Sequence, residues 1–199
     1  SGGTGRLQSC LTPPRMALVP AVRVVHDLRG DGDVVITTMG PAREWMALGP
    51  PHPLDLVFVP SSMSQATSVG LGIALAQPER RVIVCNGDGS MLMNLGSLVS
   101  ITAAAPRNLH VILFDNGVYE VTGAQPTPGS AEARPDRGAV DFEGLARASG
   151  FRSVARFHDL GDWQRVAADL LGGGGPTFVV LDVAPLAGAP GPRSPRPGG

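Results

Sequence analysis

Short, β-branched apolar runs alternate along the chain with longer stretches whose apolar positions recur every three or four residues. The runs DVVIT at 33–37, LVFV at 56–59, VIVCN at 82–86, LHVILFD at 109–115, a short segment near 152–156 and TFVVLDV at 177–183 read as strands. Between them, helical spacing predicts helices near 18–28, 42–48, 63–77, 90–104, 141–149 and 160–171. In the stretch after Gly89, for instance, Met91, Leu95, Leu98 and Thr102 fall on one helical face. The strand runs are nearly continuous in apolar character, which suits strands covered on both sides. Such alternation predicts an α/β fold, a doubly wound, mostly parallel sheet with helices on both faces, in which ligands sit at the carboxyl ends of the strands.

Composition narrows the picture. The chain has 199 residues, 43% of them hydrophobic, enough for one good core. Residues 1–16 and 185–199 are rich in Gly, Ser and Pro, so flexible tails are expected around a single domain at 17–184. A formal charge of −1 gives no electrostatic reason to expect nucleic acid or an acidic membrane as partner. All 16 basic residues are arginine, which excludes a lysine Schiff base and a Walker-type lysine from this sequence. Two cysteines, Cys10 and Cys85, make neither a disulfide framework nor a metal cluster. With no signal peptide or membrane-spanning run in view, a cytoplasmic location is expected.

The candidate chemistry sits at two strand ends. After the strand at 82–86, Gly87-Asp88-Gly89 forms a strand-to-helix turn of the kind that seats phosphate on free N–H groups. A carboxylate there would repel bare phosphate, unless Asp88 holds a divalent cation that bridges to it, and a hard carboxylate oxygen suits Mg2+. After LHVILFD comes Asn116-Gly117-Val118-Tyr119, where Asn116 offers a side-chain oxygen and Val118 a backbone carbonyl. The segment from Gly117 to Ala139 is too long and too rich in Pro and Gly for a routine connection. Plainer readings stand beside these: Asp88 as a helix N-cap, Asn116-Gly117 as a tight turn and Met63 as a core residue, while Tyr119, Glu120, Thr122 and Gln125 read equally as facing a substrate or as braces of the loop. His26, His52, His110 and His158 lack ligand spacing and read as structural. Gly70 and Gly72, inside a predicted helix, point to close packing against the sheet or a partner.

The order GDG, then Asn116 after 26 intervening residues, resembles the C-terminal diphosphate-binding (PP) domain of thiamine-diphosphate enzymes. The blocks GDGSMLMNLGSL and DNGVYEVTGAQ extend the likeness, over about 33–183, to the β subunit of sulfopyruvate decarboxylase and the matching half of phosphonopyruvate decarboxylase. The resemblance implies a thiamine diphosphate cofactor with Mg2+ held by Asp88, Asn116 and the Val118 carbonyl. It places Thr38, Ser62, Gly87, Gly89, Ser90, Asn116, Val118 and Tyr119 on the cofactor. It makes Met63 the wedge that bends the cofactor into a V, and the Ser61 carbonyl the contact of the pyrimidine 4'-amino group. The implied activity is decarboxylation of a small 2-oxo acid of the sulfopyruvate or phosphonopyruvate kind. Alternatives are an acyloin-forming carboligase subunit of specialised metabolism, a non-catalytic scaffold and an unrelated doubly wound nucleotide binder. The family's activating glutamate belongs to a pyrimidine-binding domain for which these residues leave no room, so a separate partner subunit, in a heterotetramer or larger assembly, is expected. Three segments depart from the pattern: Ser61-Ser62-Met63-Ser64 where glycines flank Ser-Met, Thr37-Thr38-Met39-Gly40 in place of TTG, and Thr122-Gly123-Ala124-Gln125 in place of TGGQ.

Overall fold

The computed structural model describes residues 15–58 and 63–186, with the side chain of Phe58 left aside. In chain order these form α1 (Leu18–Leu28), β1 (Val34–Thr38), α2 (Met39–Leu48), β2 (Asp55–Phe58), α3 (Ala66–Ala76), β3 (Val82–Gly87), α4 (Asp88–Leu92), α5 (Gly96–Ala104) and β4 (Leu109–Asp115). A small hairpin of β5 (Val118–Tyr119) and β6 (Gln125–Pro126) brackets a 3-10 turn at Glu120–Thr122. Then follow α6 (Phe142–Ala148), β7 (Ser153–Phe157), α7 (Leu160–Gly172) and β8 (Thr177–Asp182).

Six strands make one parallel sheet in the order β2-β1-β3-β4-β8-β7. Every residue of β1, β4 and β8 is buried, as strands covered on both faces require. Successive residues of a strand point to opposite faces, so two apolar cores form. One joins Ile83, Cys85, Ile112 and Phe114 to α1, Trp45 of α2 and Trp163 of α7; the other joins Val82, Val84, Leu109 and Val111 to α3, α5 and Phe142 of α6. Both tryptophans are packing residues: Trp45 Nε1 donates to Asp55 at 2.9 Å and Trp163 Nε1 to the Ala21 carbonyl at 3.3 Å. Burial pushes the Cys85 thiol up, so it stays a protonated core side chain. Met16 pairs with Val183 as a further bridge, extending regular structure ahead of α1.

Three of the expected helices differ from their bounds by more than one residue. Helix α2 begins at Met39, because Pro41 is tolerated in a first turn whose N–H groups have no intrahelical partner. Helix α3 begins at Ala66, because Ser64 takes a left-handed backbone (φ 73°) and its N–H and carbonyl bond instead to Ser90 and Asn94. The single helix expected over 90–104 is two, α4 and α5. At the break, Asn94 donates to the Ser64 carbonyl at 3.0 Å and to Ser68 at 3.2 Å, and its own carbonyl accepts from the Ser97 hydroxyl.

Gly70 and Gly72 separate on inspection. A Cβ at Gly70 would lie 2.5 Å from Val84 Cγ2, so this glycine lets α3 press against the sheet, whereas a Cβ at Gly72 meets nothing within 4 Å. Gly70→Ala is expected to destabilise the fold by about 1–3 kcal/mol through overpacking. Gly72→Ala should stabilise it by roughly 0.5–1 kcal/mol, since alanine removes the glycine's helix penalty without a clash. Urea unfolding of the two variants checks the opposite signs.

Candidate functional site

The chain leaves β1 in one direction to reach β2 and returns to place β3 on its other side. The carboxyl ends of β1 and β3 therefore open a crevice at the point where strand order reverses, the place where open α/β sheets take ligands. One cleft there is lined by Met63, Gly87, Gly89, Ser90, Asn116, Val118 and Tyr119, together with Leu18, Met39, Gly40, Pro41, Phe114, Glu120, Val121 and Thr122.

Asp88 follows β3 as the first residue of α4, and is 2% exposed. Gly87, and not Asp88, occupies the N-cap position, so the plain capping reading of Asp88 is not what the fold uses. Its Oδ2 accepts from the Thr127 hydroxyl at 3.1 Å, and the backbone N–H groups of Gly89 and Asn116 also favour its charged form. Its pKa is nevertheless pushed up to about 7, by burial first and by the Asp115 carboxylate second, against those donors. Asp115, itself buried, is also raised, mainly by burial, although Arg156 lies 3.3 Å away. Two buried carboxylates that disfavour ionisation are a site short of positive charge.

The Asn116 side-chain oxygen accepts the Val118 N–H at 2.9 Å, across Gly117 with φ 76°. Such an oxygen keeps a second lone pair for a cation. The Gly117 carbonyl accepts from Thr127 N at 2.8 Å, so Thr127 ties both strand ends together. Among the described residues no cluster of three or more His, Cys, Asp or Glu side chains could hold a metal. The donors on offer are one carboxylate, one amide oxygen and one backbone carbonyl, a hard-oxygen set that fits Mg2+ completed by ligand and water oxygens.

The other expected site residues fall around this turn. Met63 lines the cleft, and the next residue's N–H, Ser64, donates to the Ser90 hydroxyl at 2.9 Å, coupling the expected wedge to the phosphate turn. Gly89 is backed by the Tyr119 ring, and open space faces Gly87, where a Cβ would meet nothing within 4 Å. Thr38 is fully buried at the end of β1 and does not line the cleft. Its hydroxyl has no partner among the described residues, and neither has the side-chain amide of Asn86, one position beyond the Thr37–Cys85 pair on the adjoining strand. Ser61 and Ser62 lie outside the described residues. Of the four loop residues left open by the sequence, Tyr119, Glu120 and Thr122 line the cleft, while Gln125 is exposed and bonds back to Thr122.

Sequence reasoning missed Thr127, which carries no local signal because its partner Asp88 is 39 positions away. Glu120, which the sequence leaves between two readings, is 6% exposed at the cleft wall, accepts from the Leu186 N–H at 2.8 Å and stands where a Cβ on Gly40 would come within 2.9 Å. The three departures from the family pattern also have a structural meaning. Met39, Ser64 and Ala124 hold φ of 59°, 73° and 59°, so the backbone that glycine suits is kept by residues that pay for it with strain.

A family profile described as the C-terminal TPP binding domain of thiamine pyrophosphate enzymes matches residues 33–181, and the chain belongs to that family. Within it, the chain is 38% identical over 158 residues to the sulfopyruvate decarboxylase subunit beta of Methanothermobacter thermautotrophicus, covering 78% of this chain and 76% of that protein. It is 38% identical over 178 residues to the phosphonopyruvate decarboxylase of Streptomyces viridochromogenes, covering 89% of this chain. The chain spans 42% of the length of that Streptomyces relative. Its fold is that of a candidate thiamin diphosphate-dependent enzyme from Mycobacterium smegmatis, with a TM-score of 0.69 at 18% identity over 87% of this chain and 33% of that one. Among the described residues no helix is long and apolar enough to cross a membrane.

Proposed function

We propose that this chain is the diphosphate-binding subunit of a two-component, thiamine-diphosphate- and Mg2+-dependent enzyme that decarboxylates a small 2-oxo acid. The observation that carries the reading is the buried Asp88 carboxylate, tied through Thr127 to the Asn116–Val118 turn and flanked in sequence by Gly87 and Gly89, which line the cleft together with Met63 and Ser90. Asp88, the Asn116 side-chain oxygen and the Val118 carbonyl would hold the cation. The N–H groups of the Gly89–Ser90 turn would hold the diphosphate, and the apolar Met63 side chain would pack against the body of the cofactor. Met39, Leu18, Phe114 and Val121 exclude water from the inner wall. Bound thiamine diphosphate supplies the electron sink for loss of carbon dioxide. The names of the relatives favour an oxo acid of the phosphonopyruvate or sulfopyruvate kind as substrate.

A separate subunit bearing the pyrimidine-binding domain would close the cleft and bring the activating glutamate. The exposed surface of α3–α5 supports a partner. Residues 66–76 and 89–105 carry no charge, yet Leu75, Met93 and Val99 are 55%, 54% and 58% exposed. An uncharged face with large apolar side chains in water is what an interface leaves when its partner is away.

Titration calorimetry of thiamine diphosphate with Mg2+, against this chain alone and mixed with the pyrimidine-binding partner, tests the reading. Saturable binding that needs both Mg2+ and the partner is expected, followed by aldehyde release from a 2-oxo acid. Acyloin as the product would favour a carboligase. An assembled complex that binds no cofactor would leave only a scaffold.

A further inference from the structure

The hydrogen bonds around Asn116 have a contributor that lies outside the strand ends. The Asn116 carbonyl lies beyond the last paired residue of β4, Asp115, whose own carbonyl still accepts from Val183 N at 3.1 Å. The Asn116 carbonyl is met by Arg15, whose Nη1 donates to it at 2.6 Å. Both terminal nitrogens of Arg15 come within 3.6 Å of where a Cβ on Gly117 would stand. Arg15 is also one of the positive charges acting on Asp115. Its own backbone is fixed by the next residue: Met16 N donates to the Asp182 carbonyl at 3.0 Å, and Ala184 N to the Met16 carbonyl at 2.8 Å.

The turn 116–118 is thus gripped from three sides. Asn116 Oδ1 holds the Val118 N–H, Thr127 holds the Gly117 carbonyl, and Arg15 holds the Asn116 carbonyl. The first two are local or come from the following loop. Arg15 alone reaches in from 101 positions away. Without it the Asn116 carbonyl has no described donor, and the peptide between Asn116 and Gly117 loses one of the three bonds that restrain it. Rotation there would distort the Asn116–Val118 turn, whose side-chain oxygen and carbonyl are proposed above to hold the cation with Asp88.

We propose that Arg15 is a positioning residue that locks the Asn116–Val118 turn in its ligand-ready geometry. It acts through a hydrogen bond to backbone and not through its charge at the ligand. The proposal rests on the functional reading above for its consequence, and on the apo geometry alone for its cause.

Two measurements on the full chain separate those parts. In the unliganded protein, hydrogen exchange of the Val118 and Thr127 amides is expected to speed up in Arg15→Ala, with the amides of β3 and β8 unchanged. With the partner present, Arg15→Ala should weaken Mg2+-dependent thiamine diphosphate binding roughly tenfold, the order for one lost hydrogen bond from a charged donor. Arg15→Lys, which keeps a donor within reach, should restore most of both. The affinity difference should persist at high salt, where an effect of charge alone would be screened. Unchanged exchange at Val118 and Thr127 would overturn the proposal, as would an affinity loss that vanishes in salt. So would a variant whose whole sheet exchanges faster, which marks a purely structural role. If the wild-type complex binds no cofactor, the functional reading fails while the exchange result still decides what Arg15 does.

Discussion

Asp88→Ala is expected to abolish Mg2+-dependent binding of thiamine diphosphate, lowering affinity at least about a hundredfold. Loss of groups that merely orient metal ligands already costs roughly 10–100-fold, and Asp88 is the one charged ligand in the proposed set. The same residue makes binding depend on pH. Because burial and Asp115 raise its pKa to about 7, a proton competes with the cation, and affinity should fall close to tenfold for each pH unit below about 7. The stability of the unliganded protein follows with a definite sign. The folded pKa lies above the ordinary value of 3.8, so the fold disfavours the ionised form. Below about pH 4 both states are protonated and this group contributes no penalty; as pH rises toward 7 the unfolded chain ionises first and stability is lost. Asp88→Ala lacks that penalty. Its melting temperature relative to wild type should therefore climb between pH 5 and pH 8 in the absence of metal, and Mg2+ with cofactor should reverse the order. Calorimetry across that range, in both proteins, checks all three statements, and a pH-independent difference in melting temperature would remove the electrostatic account of the site.

Gly89→Ala should do comparable damage by a different route. A Cβ there would lie 2.4 Å from Tyr119 Cε1, 2.6 Å from Tyr119 Cδ1 and 3.4 Å from Thr127 Cγ2. Contacts that short cannot stand, so the ring must move. Tyr119 is joined to Val118 in β5, whose register with β6 is set by Val118–Pro126 and Tyr119–Gln125. A displaced ring therefore drags the Val118 carbonyl, whereas the 3.4 Å approach to Thr127 is an ordinary contact. The expected result is a loss of about 1–3 kcal/mol in unfolding free energy, the usual range for overpacking, and no measurable cofactor binding. Tyr119→Ala in the Gly89→Ala background should recover stability, because it removes the clash. Thermal melts of the single and double variants decide this: a double variant no more stable than Gly89→Ala would place the damage elsewhere.

The pattern of apolar positions was enough for the sheet. LHVILFD is β4 residue for residue, and TFVVLDV contains β8, because a strand covered on both faces is short and nearly continuous in apolar, β-branched and aromatic residues. The two strand ends that carry Asp88 and Asn116 were legible for the same reason: parallel strands all end on one side, so residues just after them must meet. Helix bounds were less legible, since periodicity does not register the side-chain hydrogen bonds of Asn94 or the left-handed turn at Ser64 that interrupt it. The resemblance carried by GDGSMLMNLGSL and DNGVYEVTGAQ fixed the family, and with it which residues to look for.

What the sequence by itself determined is therefore the parallel α/β fold, the pairing of two strand ends and the membership of the thiamine pyrophosphate enzymes. Those follow from local periodicity and from contiguous blocks of residues. Only the tertiary structure decided that Thr127 holds Asp88, that Glu120 forms part of the cleft wall while Gln125 turns away, and that Arg15 reaches the Asn116 carbonyl. It also decided that Asp88 is buried deeply enough, and near enough to Asp115, to resist its own charge. Each of these depends on distances between residues far apart in the chain. Burial and Coulomb energy are properties of the packed surroundings, which no stretch of sequence carries by itself.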